Sequence, residues 1–321
     1  MKKQISVTNV LPICALLIVT FVFAIVSGGQ SITLANLSSV LNQSLTIMIG
    51  SMGMIFVLCH GGIDLSIGSV ACIAAYVAAR FAMPYGVIPT FALAILVGAA
   101  CGFVTSIFAA RFKVPSFMVT VAMQTGLRGL ANVAVTSGGI ILASKELQVF
   151  NNLSTKIIVV VILLAVMWYV FEYTRLGKYS KAIGENELCG KISGINVPRI
   201  KTLNFMICGA LAGVAGIFMM VRTGGINNMI GKGAEMRVIM ALLLGSVPVA
   251  GGVDSKMFKV VVGALTIAML ENGLSVSGIT GGLYQLIEGL MLVFMCVATN
   301  FVKKKSALRD ERMMLRLESQ V

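Results

Sequence analysis

The sequence predicts an all-α integral membrane protein with about ten transmembrane helices and with both termini in the cytoplasm. Hydrophobic residues make up 58% of the 321 residues and charged residues only 12%, against roughly 45–50% and about 25% in soluble domains. The mean hydropathy is +0.96. Long apolar segments recur along the chain, and Lys and Arg cluster between alternate pairs of them. This composition excludes a disordered chain, a nucleic-acid-binding protein and a typical soluble enzyme.

Ten apolar segments are predicted as spans, because a helix needs roughly 20 residues to cross the hydrocarbon core. They cover residues 10–27, 38–59, 65–83, 87–110, 116–136, 156–173, 200–221, 236–250, 257–275 and 283–302. The first follows Lys2 and Lys3 as a signal peptide would, but its apolar run is too long and no A-x-A site follows it. The eighth segment is short and the second and third are separated only by a glycine break, so eight or nine spans remain alternatives.

The distribution of positive charge predicts the orientation. With the N-terminus inside and ten alternating spans, 18 of the 25 Lys and Arg residues lie on the cytoplasmic side, as the positive-inside rule requires. Residues 1–302 form a single transmembrane domain, with the longest inner loop at 174–200, and residues 303–321 form a charged cytoplasmic tail. No soluble part is large enough to hold an ATPase or a ligand-capturing domain.

The chain carries no signature of catalysis. The nearest approach to a P-loop, from Gly225 to Gly233, has one residue too many between its glycines and no Ser or Thr after Lys232. The seven cysteines form no C-x-x-C pair and lie mostly in apolar runs, so no disulfide framework or metal site is predicted. We expect no cofactor in this chain, and any ATP and magnesium would be used by a partner.

Acidic residues within apolar segments often mark ion relays, and here they are few. Glu271 and Glu288 lie in the last two predicted spans, and Asp64 follows the glycine break. Glu288 is either a structural pair or part of a pathway. The spacings Gly98-x-x-x-Gly102 and Gly209-x-x-x-Gly213 predict close helix packing.

Residues 60–69 read His-Gly-Gly-Ile-Asp-Leu-Ser-Ile-Gly-Ser. Two glycines break a helix, and Asp64 can cap the next helix by accepting hydrogen bonds from amides near Ser66 and Ile67. The segment is either a tight cytoplasmic turn or an element of a pathway or gate. A shorter echo, Gly-Gly-Val-Asp, stands at 251–254. In the inner loop, small and acidic residues at 184–189 followed by Gly194 and Pro198 predict a short helix with clear ends.

These motifs resemble the permease subunits of monosaccharide ABC importers of the ribose-permease type. The likeness rests on GGIDLS-x-GS at 61–69, TRLGKY at 174–179, and G-x-N-E with SGINV at 184–197. It covers about residues 45–302. Two departures stand out: Leu188 and Cys189 replace the family's usual Ala-Ala, and the basic residue expected near Ser255 is lost or shifted to Lys256.

The resemblance implies a pair of identical or related permeases in a bacterial-type cytoplasmic membrane. It also implies a cytoplasmic ABC ATPase, often with tandem nucleotide-binding domains, and an extracytoplasmic solute-binding protein. By this likeness the coupling helix lies between Gly184 and Ile195. The ATPase-coupling candidates are Gly184, Glu185, Asn186, Glu187, Leu188, Cys189, Ser193 and Gly194.

The predicted function is import of a monosaccharide or similar small polar solute by alternating access, with weak hydrogen bonds to the solute hydroxyls. The pathway or gate candidates are Asp64, Ser66, Asn42, Gln43, Gln124, Asn272, Gln285 and Glu288. Alternatives are an ion-coupled secondary transporter, a nucleoside or branched-chain amino-acid ABC permease, and a membrane scaffold or receptor subunit. Nucleic acid is not an expected partner.

Overall fold

The computed structural model describes residues 7–139, 141–279, 281–284, 286–287, 289–290, 293–294 and 297. Twelve α-helices lie within these ranges and confirm the all-α fold class. They are α1 (Val7–Val26), α2 (Leu34–Cys59), α3 (Ile67–Phe81), α4 (Val87–Ser106), α5 (Ser116–Ser137), α6 (Lys145–Gln148), α7 (Leu153–Tyr173), α8 (Arg175–Glu185), α9 (Glu187–Ile192), α10 (Val197–Thr223), α11 (Ala234–Leu244) and α12 (Met257–Val276). Among the described residues, extended pairing is limited to one antiparallel bridge, between Leu142 and Gly225.

Five helices are long and apolar enough to cross a membrane: α2, α4 with its π-helical extension to Arg111, α7, α10 and α12. α1 and α3 are apolar but present shorter apolar stretches. A multi-pass membrane protein is therefore confirmed. The predicted tenth span, 283–302, and the tail, 303–321, lie largely outside the described residues. The span count and the sides of the termini stay predictions.

Helices α2 and α10 form the centre of the bundle, and α10 packs on α4 through glycines. A Cβ at Gly98 would collide with the carbonyl oxygen of Gly209, and a Cβ at Gly209 with that of Gly98. Gly102 lies equally close to the Phe205 backbone, and Gly213 to that of Ala94. The predicted small-residue spacings are thus confirmed as a helix–helix contact in which backbones touch.

A non-helical segment joins α2 to α3. Asp64 is buried, and its Oδ1 accepts hydrogen bonds from the Ser66 amide at 2.8 Å and the Ser66 hydroxyl at 2.6 Å. The Ile63 backbone is held by α5, since its amide donates to Ser116 Oγ and its carbonyl accepts from Thr120 Oγ1, both at 3.2 Å. Side chains of α5 therefore satisfy backbone groups that a helix would otherwise pair internally, as backbone at membrane depth requires.

A second non-helical segment, residues 224–233, precedes α11 and turns back into the bundle. Gly231 packs against the backbone of Gly68 in the first turn of α3. The following helix α11 has 11 residues, which is about 16 Å at 1.5 Å per residue, roughly half the hydrocarbon thickness. It ends earlier than the predicted segment 236–250, because Ser246 has a positive φ of 57° and Pro248 follows.

The inner loop contains two helices, of which the sequence predicted one. Asn186 Oδ1 accepts from the Cys189 amide at 3.0 Å and begins α9, which Gly194 ends with a φ of +80°. Pro198 then stands in the first turn of α10. The short helix with clear ends is confirmed, although it starts three residues later than predicted. Helix α8 was not predicted.

Candidate functional site

A cavity of about 990 Å³ lies between α2, α10, α11, α12 and the 224–233 segment. We call it the large cavity. Its volume is at the upper end of the range for small-molecule sites, roughly 300–1,000 Å³. Its polar and charged lining residues include Gln43, Arg222, Lys232, Glu235, Arg237, Glu271 and Asn272. A polar cavity among apolar helices is the expected form of a solute pathway.

Three of these side chains form a connected group on one wall. Glu271 of α12 is 4% exposed; it accepts a short hydrogen bond from Gln43 Nε2 of α2 and lies 3.3 Å from Arg237 Nε of α11. The carboxylate is therefore compensated by a guanidinium and an amide. This arrangement ties α2, α11 and α12 together and leaves the wall polar but nearly neutral.

A second group closes the cavity beside α3 and α5. Gln124 Nε2 donates to Glu235 Oε1 at 2.9 Å, and Arg128 donates to the Ile230 carbonyl at 2.8 Å. Glu235 is 8% exposed, and its Oε2 has no hydrogen-bond partner within the described residues. That oxygen lies against Gly68, where a Cβ would collide with it. The 224–233 segment and the start of α11 therefore meet the first turn of α3 here.

A smaller cavity of about 440 Å³ lies toward the end of the bundle where α2 ends and α10 begins. We call it the small cavity. His60 to Ile63 line it, whereas Ile67 lines the large cavity. The seven-residue stretch after α2 thus runs from one cavity to the other. The two interpretations of residues 60–69, a tight cytoplasmic turn and an element of a pathway or gate, stay predictions.

The inner-loop helices are fastened to the bundle by acidic side chains. Glu172 of α7 accepts from Lys181 of α8 at 2.5 Å and from the first amide of α12, Met257 N, at 3.0 Å. Glu185 at the end of α8 accepts from the Val253 amide at 2.8 Å. Gly184 packs against the last carbonyl of α2. These contacts join α8 to α7, to the end of α2 and to the turn at Val253.

Glu187 begins α9 and is held by two amines. Its carboxylate lies 2.6 Å from Lys191 Nζ and 2.7 Å from Lys201 Nζ of α10. Hydrogen bonds from these two lysines lower the pKa of Glu187 to about 2. The carboxylate is ionised at neutral pH and fixes α9 on the start of α10.

Comparison with known proteins agrees with this geometry. Residues 36–296 match the family described as the permease component of branched-chain amino acid transport systems. The chain belongs to this family of permeases. It is 32% identical to the ribose import permease protein RbsC of Escherichia coli K12, over 85% of this chain and 87% of the relative.

Other relatives of the permease carry the names of further sugars. It is 25% identical to the fructose import permease protein FrcC of Rhizobium meliloti, over 92% of this chain and 86% of the relative. It is 26% identical to the xylose transport system permease protein XylH of Haemophilus influenzae, over 94% of this chain and 99% of the relative. The resemblance to permeases of monosaccharide importers is confirmed. No solved structure matches the permease significantly.

The predicted pathway candidates fall into three groups: those at the large cavity, those away from both cavities, and those outside the described residues. Gln43 and Asn272 line the large cavity, and Gln124 reaches it through Glu235. Asn42 instead faces away and accepts from the buried amine of Lys156, at 2.7 Å through its side chain. Asp64 and Ser66 are buried in the break and line neither cavity. Gln285 and Glu288 lie outside the described residues.

Five charged side chains of the large cavity were not predicted as site residues: Arg222, Lys232, Glu235, Arg237 and Glu271. Of these, Glu271 was named from the sequence as an acidic residue within an apolar segment. The sequence does contain a signal for this site. Glu235 and Arg237 stand directly ahead of an apolar run that is too short to span a membrane. That pattern is typical of a half-helix that begins inside the membrane rather than at its surface.

Proposed function

We propose that the permease imports a monosaccharide by alternating access and is powered by a separate ABC ATPase that uses ATP and Mg²⁺. An external solute-binding protein would deliver the sugar, and a second permease, identical or related, would complete the assembly in a bacterial cytoplasmic membrane. The observation that carries this proposal is the large cavity, in which amide, carboxylate and guanidinium groups converge among apolar helices.

The chemistry of the lining suits a polyhydroxylated solute. Each hydroxyl donates one hydrogen bond and accepts up to two, so a wall that mixes acceptors with donors can bind it in several orientations. Glu235 Oε2 is an acceptor with no partner among the described residues, and Asn272 and Gln43 add amides. These contacts need not be strong, because a pathway that binds its solute tightly releases it slowly.

The contact between the 224–233 segment and the first turn of α3 would act as the gate. For the solute to leave the large cavity toward the small one, the 224–233 segment and the start of α3 must separate at Gly68 and Gly231. The bond from Gln124 to Glu235 and that from Arg128 to Ile230 hold the segment against α5. Their breakage would accompany the inward opening.

Helix α9 would dock into the ATPase. Leu188 and Ile192 are four residues apart on this helix, so they share one face, and they are 65% and 79% exposed. Two exposed aliphatic side chains on a short polar helix favour a protein contact. Glu172 and Glu185 connect the adjoining helix α8 to α12 and to the 251–253 turn. Motion at the ATPase would thereby reach α12, the 251–253 turn and, through Gly184, the end of α2.

The test is uptake by the permease reconstituted in liposomes with the ATPase that co-purifies with it. Radiolabelled pentoses, hexoses, nucleosides and branched-chain amino acids are compared with and without ATP and with an ionophore. ATP-dependent uptake of one sugar, insensitive to the ionophore and reduced in Glu235→Leu, supports the proposal. Thr125→Val on exposed α5 serves as the control. Uptake that is abolished by the ionophore and is independent of ATP would support an ion-coupled carrier instead.

A branched-chain amino acid is the second candidate, because the family description names that class. An amino acid needs a free cation for its carboxylate and a free anion for its ammonium group. In the large cavity Arg237 and Glu271 already pair with each other. Glu235, Arg222 and Lys232 also line the cavity and would supply an anion and cations to such a solute. The same uptake panel distinguishes the two classes.

A further inference from the structure

The small cavity has a chemistry that solute passage does not require. Three lysines line it, Lys113, Lys191 and Lys201, together with the single carboxylate of Glu187. Glu187 engages Lys191 and Lys201, whereas Lys113 is exposed on the opposite wall. The charged side chains of the lining therefore have a positive excess, in a concave space of about 440 Å³.

Two helix N-termini add to this positive potential. Pro115, Ser116 and Phe117 at the start of the 22-residue helix α5 line the cavity, as do Val197 and Pro198 at the start of α10. The first amides of α5 carry a partial positive charge and favour an anion. At α10 Pro198 has no N–H and the Arg199 amide donates to Asn196 Oδ1 at 3.2 Å, so this end contributes only its dipole.

A buried imidazole supplies an independent indication of a ligand. His60 lines the small cavity, is 7% exposed, and its Nε2 has no hydrogen-bond partner among the described residues. Its ring packs edge-on against Phe205 at 5.8 Å between centroids. Burial lowers the pKa of His60 to about 3, so the ring is neutral. A buried polar atom without a partner costs free energy unless a ligand or water satisfies it.

The backbone conformation of Lys113 also favours a ligand at this cavity. Lys113 has a φ of +56° and ends the π-helical turn after α4, with the Val114 amide donating to the Phe108 carbonyl at 3.1 Å. Glycine or asparagine is the usual residue in this left-handed conformation. A lysine there bears a conformational cost, which a functional contact of its amine would offset.

We propose that the small cavity binds the phosphate group of an anionic ligand, with Lys113, the α5 N-terminus and His60 Nε2 as the groups that contact it. A phosphate presents several acceptor oxygens and a full charge, which matches lysine amines and free helix amides. The site is separate from the large cavity and does not depend on which solute is carried. Residues of the α2–α3 break and of α9 both line the small cavity, so a bound anion would contact both elements.

Two sources can supply this phosphate. One is the headgroup of an anionic phospholipid, whose acyl chains would lie along the exposed aromatic side chains beside the cavity, Phe108, Phe112 and Phe117. The other is a soluble phosphate ester of the cytoplasm. Both use the same amine and amide contacts.

The experiment compares the wild type with Lys113→Gln, Lys113→Arg and Lys178→Gln, each as the full chain. Lys178 is an exposed lysine of α8 that does not line the cavity, so its variant is the matched control. Retention of phosphatidylglycerol against phosphatidylcholine is measured by native mass spectrometry from mixed nanodiscs. The shift of the unfolding temperature with glycerol 3-phosphate is measured in neutral detergent.

We expect Lys113→Gln to weaken binding about fivefold, the effect of one lysine near an anionic headgroup. Lys113→Arg and Lys178→Gln should bind as the wild type does. A loss confined to phosphatidylglycerol assigns the site to lipid, and a loss confined to glycerol 3-phosphate assigns it to a soluble ester. If neither ligand separates Lys113→Gln from Lys178→Gln, the proposal is wrong. It is equally wrong if Lys113→Gln impairs only ATPase co-purification, because the cavity would then receive an acidic segment of the partner.

Discussion

Gln124 and Glu235 are 111 residues apart in the chain, and the Nε2 of the first donates to the Oε1 of the second at 2.9 Å. The bond links the middle of α5 to the start of α11, next to the place where Gly68 and Gly231 pack backbone to backbone. It fastens α11, which follows the 224–233 segment, to α5. The same helix α5 holds the backbone of Ile63 in the segment between α2 and α3. The barrier between the two cavities is therefore a contact between the 224–233 segment and the first turn of α3.

Replacement of Gln124 by Leu should loosen this barrier. A hydrogen bond to a charged group contributes about 1.5–3 kcal/mol, so its loss should raise the open population of the 224–233 segment about 10- to 100-fold. Hydrogen–deuterium exchange of that segment measures the change. Thr125→Val on the same helix is the control, since Thr125 is exposed and its hydroxyl donates to the Val121 carbonyl of its own helix. Equal exchange in the two variants would show that Gln124 does not restrain the segment.

The pair of Arg237 and Glu271 should behave as a coupled unit. Arg237→Gln removes the guanidinium that lies beside the buried Glu271 carboxylate, which should destabilise the permease by about 1–3 kcal/mol. The double variant with Glu271→Gln should recover part of that loss, because the uncompensated charge is gone. Thermal unfolding of the two single variants and the double variant completes the cycle. Strictly additive losses would contradict the pairing.

The glycine contact between α4 and α10 should not tolerate a side chain. Gly209→Val places methyl groups where the Gly98 carbonyl now lies, and the resulting separation of the helices should cost at least about 1–3 kcal/mol. Gly126→Ala on α5 is the matched control, because nothing lies within 4 Å of a Cβ built there. Unfolding temperature in detergent reports both, and a fall in the control as large as in Gly209→Val would contradict the argument.

The exposed face of α9 should be required for binding of the ATPase but not for folding. Leu188→Asp with Ile192→Asp changes two side chains that are 65% and 79% exposed, so the unfolding temperature should change little. Co-purification of the ATPase in mild detergent should fall at least tenfold. Leu142→Asp, which is 68% exposed in the 137–152 connection, should leave it unchanged. Retention of the ATPase by the double variant would place the docking site elsewhere.

The contribution of Glu187 to stability should depend on pH in a defined window. Its folded-state pKa of about 2 lies below its ordinary value of 4.5, so its ion pairs stabilise the fold above pH 4.5. That contribution should be lost as the pH falls from 4.5 toward 2. The carboxylate is 42% exposed, and solvent screening keeps the effect below about 1 kcal/mol.

The unfolding temperatures of wild type and Glu187→Gln, compared at each pH, isolate this contribution. The difference between them should be constant from pH 5 to pH 7 and shrink at lower pH. A difference that grows on acidification would show that Lys191 and Lys201 do not stabilise the ionised form.

Sequence patterns predicted the long helices well and the breaks less well. Segments such as 38–59 and 200–221 lie within α2 and α10, because only a helix satisfies every backbone group of a long apolar run in hydrocarbon. Helix α8 escaped prediction because its polar residues give it no apolar run, and α11 was predicted too long because the apolar run continues past the point where the backbone turns. The partner of Glu235 was not predictable, since pairs so distant in sequence follow no local period.

Composition, apolar runs and the glycine and proline positions were sufficient to determine a multi-pass helical permease with a break after α2 and a short helix in the inner loop. Those features depend on local rules: the length needed to cross hydrocarbon, and the backbone conformations that glycine and proline allow. Which polar side chains face one another depended on how the helices pack. Tertiary packing alone produced the cavities and the contact of Gly68 with Gly231. It also produced the pairs of Glu235 with Gln124 and of Glu271 with Arg237. Glycine contacts bring distant helices close enough for their buried polar groups to satisfy one another.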